Sequence, residues 1–251
     1  MSNNNVTVHT RLYKSTEMRY VMLQKLLSEN TADNNTTIVD NIDFYSALSH
    51  FVGFCLALVG CLFIILKIPK MDSLSSLPSG LFFIGSMLAL YFASTAFHAS
   101  HKGSRKHAVL QKLDHAMIYL LIAGTYTPLC LLALPKKEGM TLLLSIYCLA
   151  FFGILQAVFF LHYNKWLNSV IYILMGWSCA FLLPVLFKNL SVICFAFLLT
   201  GGILYTIGGI IYAIPIKHIK RIGTPFGNHE IFHLFVIGGS IFHYLLVYAL
   251  L

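Results

Sequence analysis

Long apolar runs alternate with short polar interruptions along this chain. A helix needs about 20 apolar residues to cross the hydrocarbon core of a bilayer. Seven runs reach that length, at roughly 45–67, 79–98, 111–134, 140–162, 166–187, 190–213 and 229–250. Breakers separate them. Ile68-Pro69-Lys70 ends the first run, and the Ser, Pro and Gly residues of 73–80 lead into the second. His101 to Lys106 follows the second, Pro135 to Gly139 follows the third, and Lys217 to Gly227 precedes the last. The pattern predicts an all-α, polytopic membrane protein, a seven-transmembrane helix bundle over residues 43–251. Residues 1–42 form a polar extension, rich in Asn and Thr, with no apolar segment of the kind a secretory signal requires. Within it, Leu12 to Leu27 can form a short amphipathic helix whose neighbouring Arg11, Lys14, Arg19 and Lys25 rest on a membrane surface; the alternative is a flexible tail. The sixth run carries Gly201-Gly202 and Gly208-Gly209, small residues that let helices approach closely in lipid or bend.

Composition agrees with this reading. Hydrophobic residues make up 58% of the chain and charged residues 10%. Soluble domains carry about 25% charged residues. The net charge of +8 does not imply nucleic acid, because the basic residues sit in short loops and no nucleic-acid motif accompanies them. Membrane orientation and anionic lipid headgroups account for it. Of the 17 Lys and Arg residues, only Lys67, Lys70, Lys136, Lys137 and Lys188 fall on the side opposite the N-terminus. That bias predicts a cytoplasmic N-terminus. The six cysteines lie inside apolar runs without a CxxC pair and read as small buried hydrophobes.

The rare polar residues carry the chemistry. After the first run the acidic residues are Asp72, Asp114, Glu138 and Glu230. Asp72 and Glu138 belong to loops, whereas Asp114 and Glu230 begin the third and seventh spans. A charge at the centre of a membrane helix costs roughly 2.5–3.5 kcal/mol, so such a residue needs a partner or a role. Histidines supply partners. His229 and His233 are four residues apart, hence on one helix face, about 5–6 Å apart at Cβ. His98 ends the second span. Span two ends on the cytoplasmic side and spans three and seven begin there, so His98, Asp114, His229 and His233 are expected at one depth. Three histidine nitrogens with an open fourth position suit catalytic zinc. Ser94 lies one turn before His98 on the same face. Asp114 is placed to orient a ligand or accept a hydrogen bond from water at the metal. His229-Glu230-x-x-His233 also matches the zincin motif, in which the glutamate is a base. Here Glu230 enters a membrane span and is expected to favour the positive helix N-terminus instead.

Several motifs resemble the hemolysin III family, within the progestin and adipoQ receptor superfamily. They are Ser94-x-x-x-His98, Leu113-Asp114-His115-Ala116-Met117-Ile118-Tyr119 running to Ala123-Gly124-Thr125-Tyr126-Thr127-Pro128, and His229-Glu230-Ile231-Phe232-His233. The resemblance covers roughly residues 43–250. It implies seven helices, a cytoplasmic N-terminus, zinc ligands at His98, His229 and His233, and accessory polar positions at Asp114 and Ser94. One motif departs: the usual Glu-x-x-Asn-x-x-x-His before the first span is Asp43-x-x-Ser46-x-x-x-His50 here.

Three functions follow as expectations. The first is a zinc-dependent hydrolase of a lipid amide or ester, ceramidase-like by analogy with the adiponectin receptors, with Asp114 moving the proton and Ser94 positioning water or substrate. The second is a membrane receptor or regulator in which zinc staples the helices. The third, suggested by the family's name, is a pore-forming cytolysin. Membrane lipids are the expected partners and a bacterial plasma membrane the expected location.

Overall fold

The computed structural model describes residues 42–68, 76–159, 165–214 and 227–251. Among these residues all regular structure is helical. The helices are α1 (Phe44–Lys67), α2 (Ser76–His98), α3 (Arg105–Ala133), α4 (Lys136–Phe159), α5 (Lys165–Asn189), α6 (Val192–Ala213) and α7 (Asn228–Leu250). All seven are long and apolar enough to cross a membrane. The extension before residue 42, with its expected amphipathic helix, lies outside the described residues, as do Asp72, Lys217, Lys220 and Arg221.

The helix ends follow local chemistry that hydropathy does not register. α3 starts six residues before its apolar run, because Ser104 caps it: the Ser104 Oγ accepts a hydrogen bond from the His107 N–H at 3.0 Å. Its polar first turns extend the helix beyond the apolar stretch. α4 starts at Lys136, with Glu138 in the first turn, where the helix dipole favours a carboxylate.

α1 packs on α2 and α7, α2 on α3, α3 on α4, α5 on α6, and α6 on α7. α3 also touches α5 and α7, and its membrane segment is 61% buried against 17% for α5. α3 therefore runs through the interior, while α5 turns most of its surface to lipid. The small residues of α6 permit the close α6–α7 packing. A Cβ on Gly201 would meet the His243 ring, and one on Gly208 would lie 2.9 Å from the Phe235 Cβ.

α5 is interrupted. An α-helical segment ends at Gly176, a 3₁₀ turn covers Ser178–Leu182, and α-helix resumes at Leu183 with Pro184 in its first turn. A break inside a membrane span must satisfy its own backbone groups. Tyr126 of α3 does so: its hydroxyl donates to the Gly176 carbonyl at 2.7 Å and accepts from the Cys179 N–H at 3.0 Å. α3 carries its own irregularity, Pro128 followed by a π-helical turn over Leu129–Ala133.

Candidate metal centre

Two helices bring three histidines to one end of the bundle. His98 is the last residue of α2 and is buried. His229 and His233 occupy the first two turns of α7, one helical turn apart on the same face. One ligand nitrogen from each of the three lies within 4.8 Å of the others. The His98 and His229 Nε2 atoms approach to 3.0 Å. Nitrogen ligands at about 2.0–2.1 Å from a tetrahedral ion stand about 3.3 Å from one another, so this pair is spaced like two neighbouring ligands.

The third ligand is oriented from α1. The His233 Nδ1–H points between the Ser49 Oγ at 2.9 Å and the Ser46 carbonyl at 3.3 Å. The Ser49 hydroxyl already donates to that carbonyl at 2.8 Å, so its oxygen is left to accept. Both acceptors hold the proton on Nδ1 and keep the lone pair on Nε2, the form a metal requires. His50, next along α1, stacks on His233 with ring centroids 3.6 Å apart and planes 13° apart. The donor set therefore fits a metal ion: three imidazoles, one with its outer nitrogen fixed by hydrogen bonds.

Glu230 lies between the two α7 histidines but has a different task. Its Oε2 accepts the Gly227 N–H at 2.7 Å, closing the helix N-terminus, and its Oε1 accepts the Ser46 hydroxyl at 2.7 Å. Both oxygens are thus engaged in fixing α7 and joining it to α1. Ser46, where the motif before the first span departs from the resemblance, makes this contact through its hydroxyl.

One cavity of about 130 Å³ adjoins the centre. His50, Ser94, Asp114, His229 and His233 line its polar end, and mostly apolar residues of α3, α5, α6 and α7 line the rest. Asp114 is 8% exposed, and its carboxylate makes no hydrogen bond among the described residues. The Ser94 Oγ and both ring nitrogens of His50 are buried without a hydrogen-bond partner among them. His115 lines the same cavity, but its Nδ1 donates to the Gln111 carbonyl at 2.5 Å.

Of the five residues singled out from the sequence, Ser94, Asp114, His229 and His233 line one cavity, and His98 stands with the two α7 histidines beside it. Sequence reasoning named His50 only within the motif before the first span and gave it no role, and it passed over Ser49. A signal for both exists: Ser46, Ser49 and His50 make a polar stripe at i, i+3 and i+4 in an otherwise apolar span.

Seven membrane-length helices around a three-histidine group define an integral, multi-pass membrane protein with a potential metal centre at one end. The chain belongs to the Haemolysin-III related family, which it matches over residues 41–244. It is 37% identical over 199 residues to Hemolysin-3 of Bacillus cereus, covering 78% of this chain and 85% of that protein. It is 38% identical over 196 residues to the Hemolysin-3 homolog of Bacillus subtilis (strain 168), covering 78% and 87%. The Adiponectin receptor protein of Drosophila melanogaster is 26% identical over 216 residues, 78% of this chain and 48% of that one, and connects the chain to the progestin and adipoQ receptor superfamily.

Proposed function

We propose that this protein is a zinc-dependent hydrolase of lipid amides or esters, with its centre facing the cytoplasm across a plasma membrane. The observation that carries this reading is Asp114: a buried carboxylate, free of hydrogen bonds to the described residues, beside three histidines in one largely apolar cavity. A purely structural centre has no use for such a group, whose desolvation is costly.

His98, His229 and His233 would hold the ion. Bound zinc would supply Lewis acidity, polarising an acyl carbonyl and lowering the pKa of a neighbouring water towards about 7. Asp114 accepts the proton of the attacking water. The water oxygen adds to the acyl carbon, and the C–N or C–O bond breaks. Asp114 then returns the proton to the departing amine or alcohol. Ser94, whose hydroxyl is uncommitted, hydrogen-bonds the substrate carbonyl or the water. The apolar walls exclude bulk water and receive the acyl chain.

The test is turnover of ceramide and phospholipid by purified protein, before and after chelation and with zinc restored. Product that appears only with zinc supports the reading; no zinc-dependent product from any lipid refutes it. A second reading has support in the placement of the ligands. His98 on α2 and the pair on α7 would let an ion cross-link two helices, as in a receptor or regulator with structural zinc. That reading predicts loss of folding, rather than of turnover alone, on chelation.

A further inference from the structure

The cavity has a second polar feature, far from the three histidines. His243 lies ten residues beyond His233 on α7, an axial rise of about 15 Å. It is 5% exposed and lines the same cavity. Its Nδ1–H donates to the Gly239 carbonyl one turn earlier, at 3.0 Å. The lone pair therefore sits on Nε2, which has no hydrogen-bond partner among the described residues.

The ring is held firmly. It stacks on Tyr205 with centroids 5.2 Å apart and planes 13° apart. The Tyr205 hydroxyl is hydrogen-bonded to the Ser240 Oγ at 2.9 Å, and the Tyr91 hydroxyl donates to the same oxygen at 2.8 Å. Gly201 leaves room for the ring edge, where a Cβ would collide with it. Two threonines along the cavity are committed elsewhere. The Thr125 hydroxyl donates to the Leu121 carbonyl at 2.8 Å and the Thr206 hydroxyl to the Gly202 carbonyl at 2.8 Å. Thr206 also accepts the Trp177 indole N–H at 2.8 Å.

A fixed acceptor within an apolar cavity discriminates by chemistry. It favours a ligand that brings a hydrogen-bond donor to that depth and gains nothing from one that brings only methylenes or another acceptor. We propose that His243 is a specificity-determining residue that recognises a hydroxyl group part-way along the acyl chain of the lipid bound in this cavity. The proposal rests on the reading of the cavity as an acyl site. An extended chain anchored at the three histidines reaches 15 Å at about its twelfth carbon, from ordinary C–C geometry.

The test measures binding, not turnover. Octadecanoate, 12-hydroxyoctadecanoate and 12-oxooctadecanoate compete with a fluorescent fatty acid for purified protein in detergent. The wild type is expected to bind the hydroxy acid about tenfold more tightly than the other two. His243→Phe is expected to erase that preference and leave octadecanoate affinity within about twofold. Equal affinity of the wild type for all three acids overturns the proposal, as does a preference that survives in His243→Phe. The wild-type ranking decides the matter even where the variant does not fold. An intact ranking without lipid turnover refutes hydrolysis and leaves the subsite; zinc-dependent turnover without a ranking does the reverse.

Discussion

Two regions of this bundle set polar groups inside an apolar layer, and they treat them in opposite ways. At the break in α5 the groups in view are paired. The Tyr126 hydroxyl answers both the Gly176 carbonyl and the Cys179 N–H, and the Trp177 indole donates to Thr206. At the three-histidine end, Ser94, His50 and Asp114 keep polar atoms that no described residue satisfies. An unmet buried polar group costs about 1–3 kcal/mol. Where only the fold is at stake the chain avoids that cost; where a ligand is expected it leaves the positions open. The contrast separates scaffold from site.

The largest expected effect comes from removing a ligand. His98→Ala should abolish stoichiometric metal binding, read by elemental analysis of the purified protein, while the α5 break stays intact. Full metal occupancy in that variant would dissolve the distinction. Next is Asp114→Asn, expected to keep its metal and lose about 10²–10⁴-fold in lipid turnover, the usual contribution of a proton-transferring group. Unchanged turnover would move Asp114 from site to scaffold. Ser49→Ala should weaken metal affinity by about tenfold, the lower end for loss of a partner that orients a ligand, because the Ser46 carbonyl still receives the His233 proton. A competition titration against a zinc-binding dye measures this. Tyr126→Phe is the converse probe. It should lower stability by about 1–3 kcal/mol in thermal or denaturant unfolding and leave metal content unchanged. Loss of metal in Tyr126→Phe would show that the two regions are not independent.

Much of this was legible in the residues themselves. Seven apolar runs of bilayer length report the helices directly, because lipid imposes length and hydrophobicity on each crossing. The i, i+4 spacing of His229 and His233 reports a shared face, and alternation of crossings brings His98 and Asp114 to the same end. The α5 break was not legible, since Gly176 and Pro184 interrupt the helix without interrupting its hydropathy. The early start of α3 was missed for the opposite reason: Ser104 builds a helix where hydropathy is low. The roles of Ser46, Ser49 and Tyr126 depend on contacts across 50 to 184 positions of sequence. Periodicity within one helix carries no record of such contacts.

The link between Ser46 and Glu230 has a consequence for the register of the helices. A helix that slips by one residue turns its side chains by about 100°. Glu230 sits between two histidines whose aim must be right together, and its bond to Ser46 sets the rotational phase of both. Among the described helices, α1 thus acts as the gauge against which α7 is set. The three ligands therefore come into register only when α7 is packed on both α1 and α2.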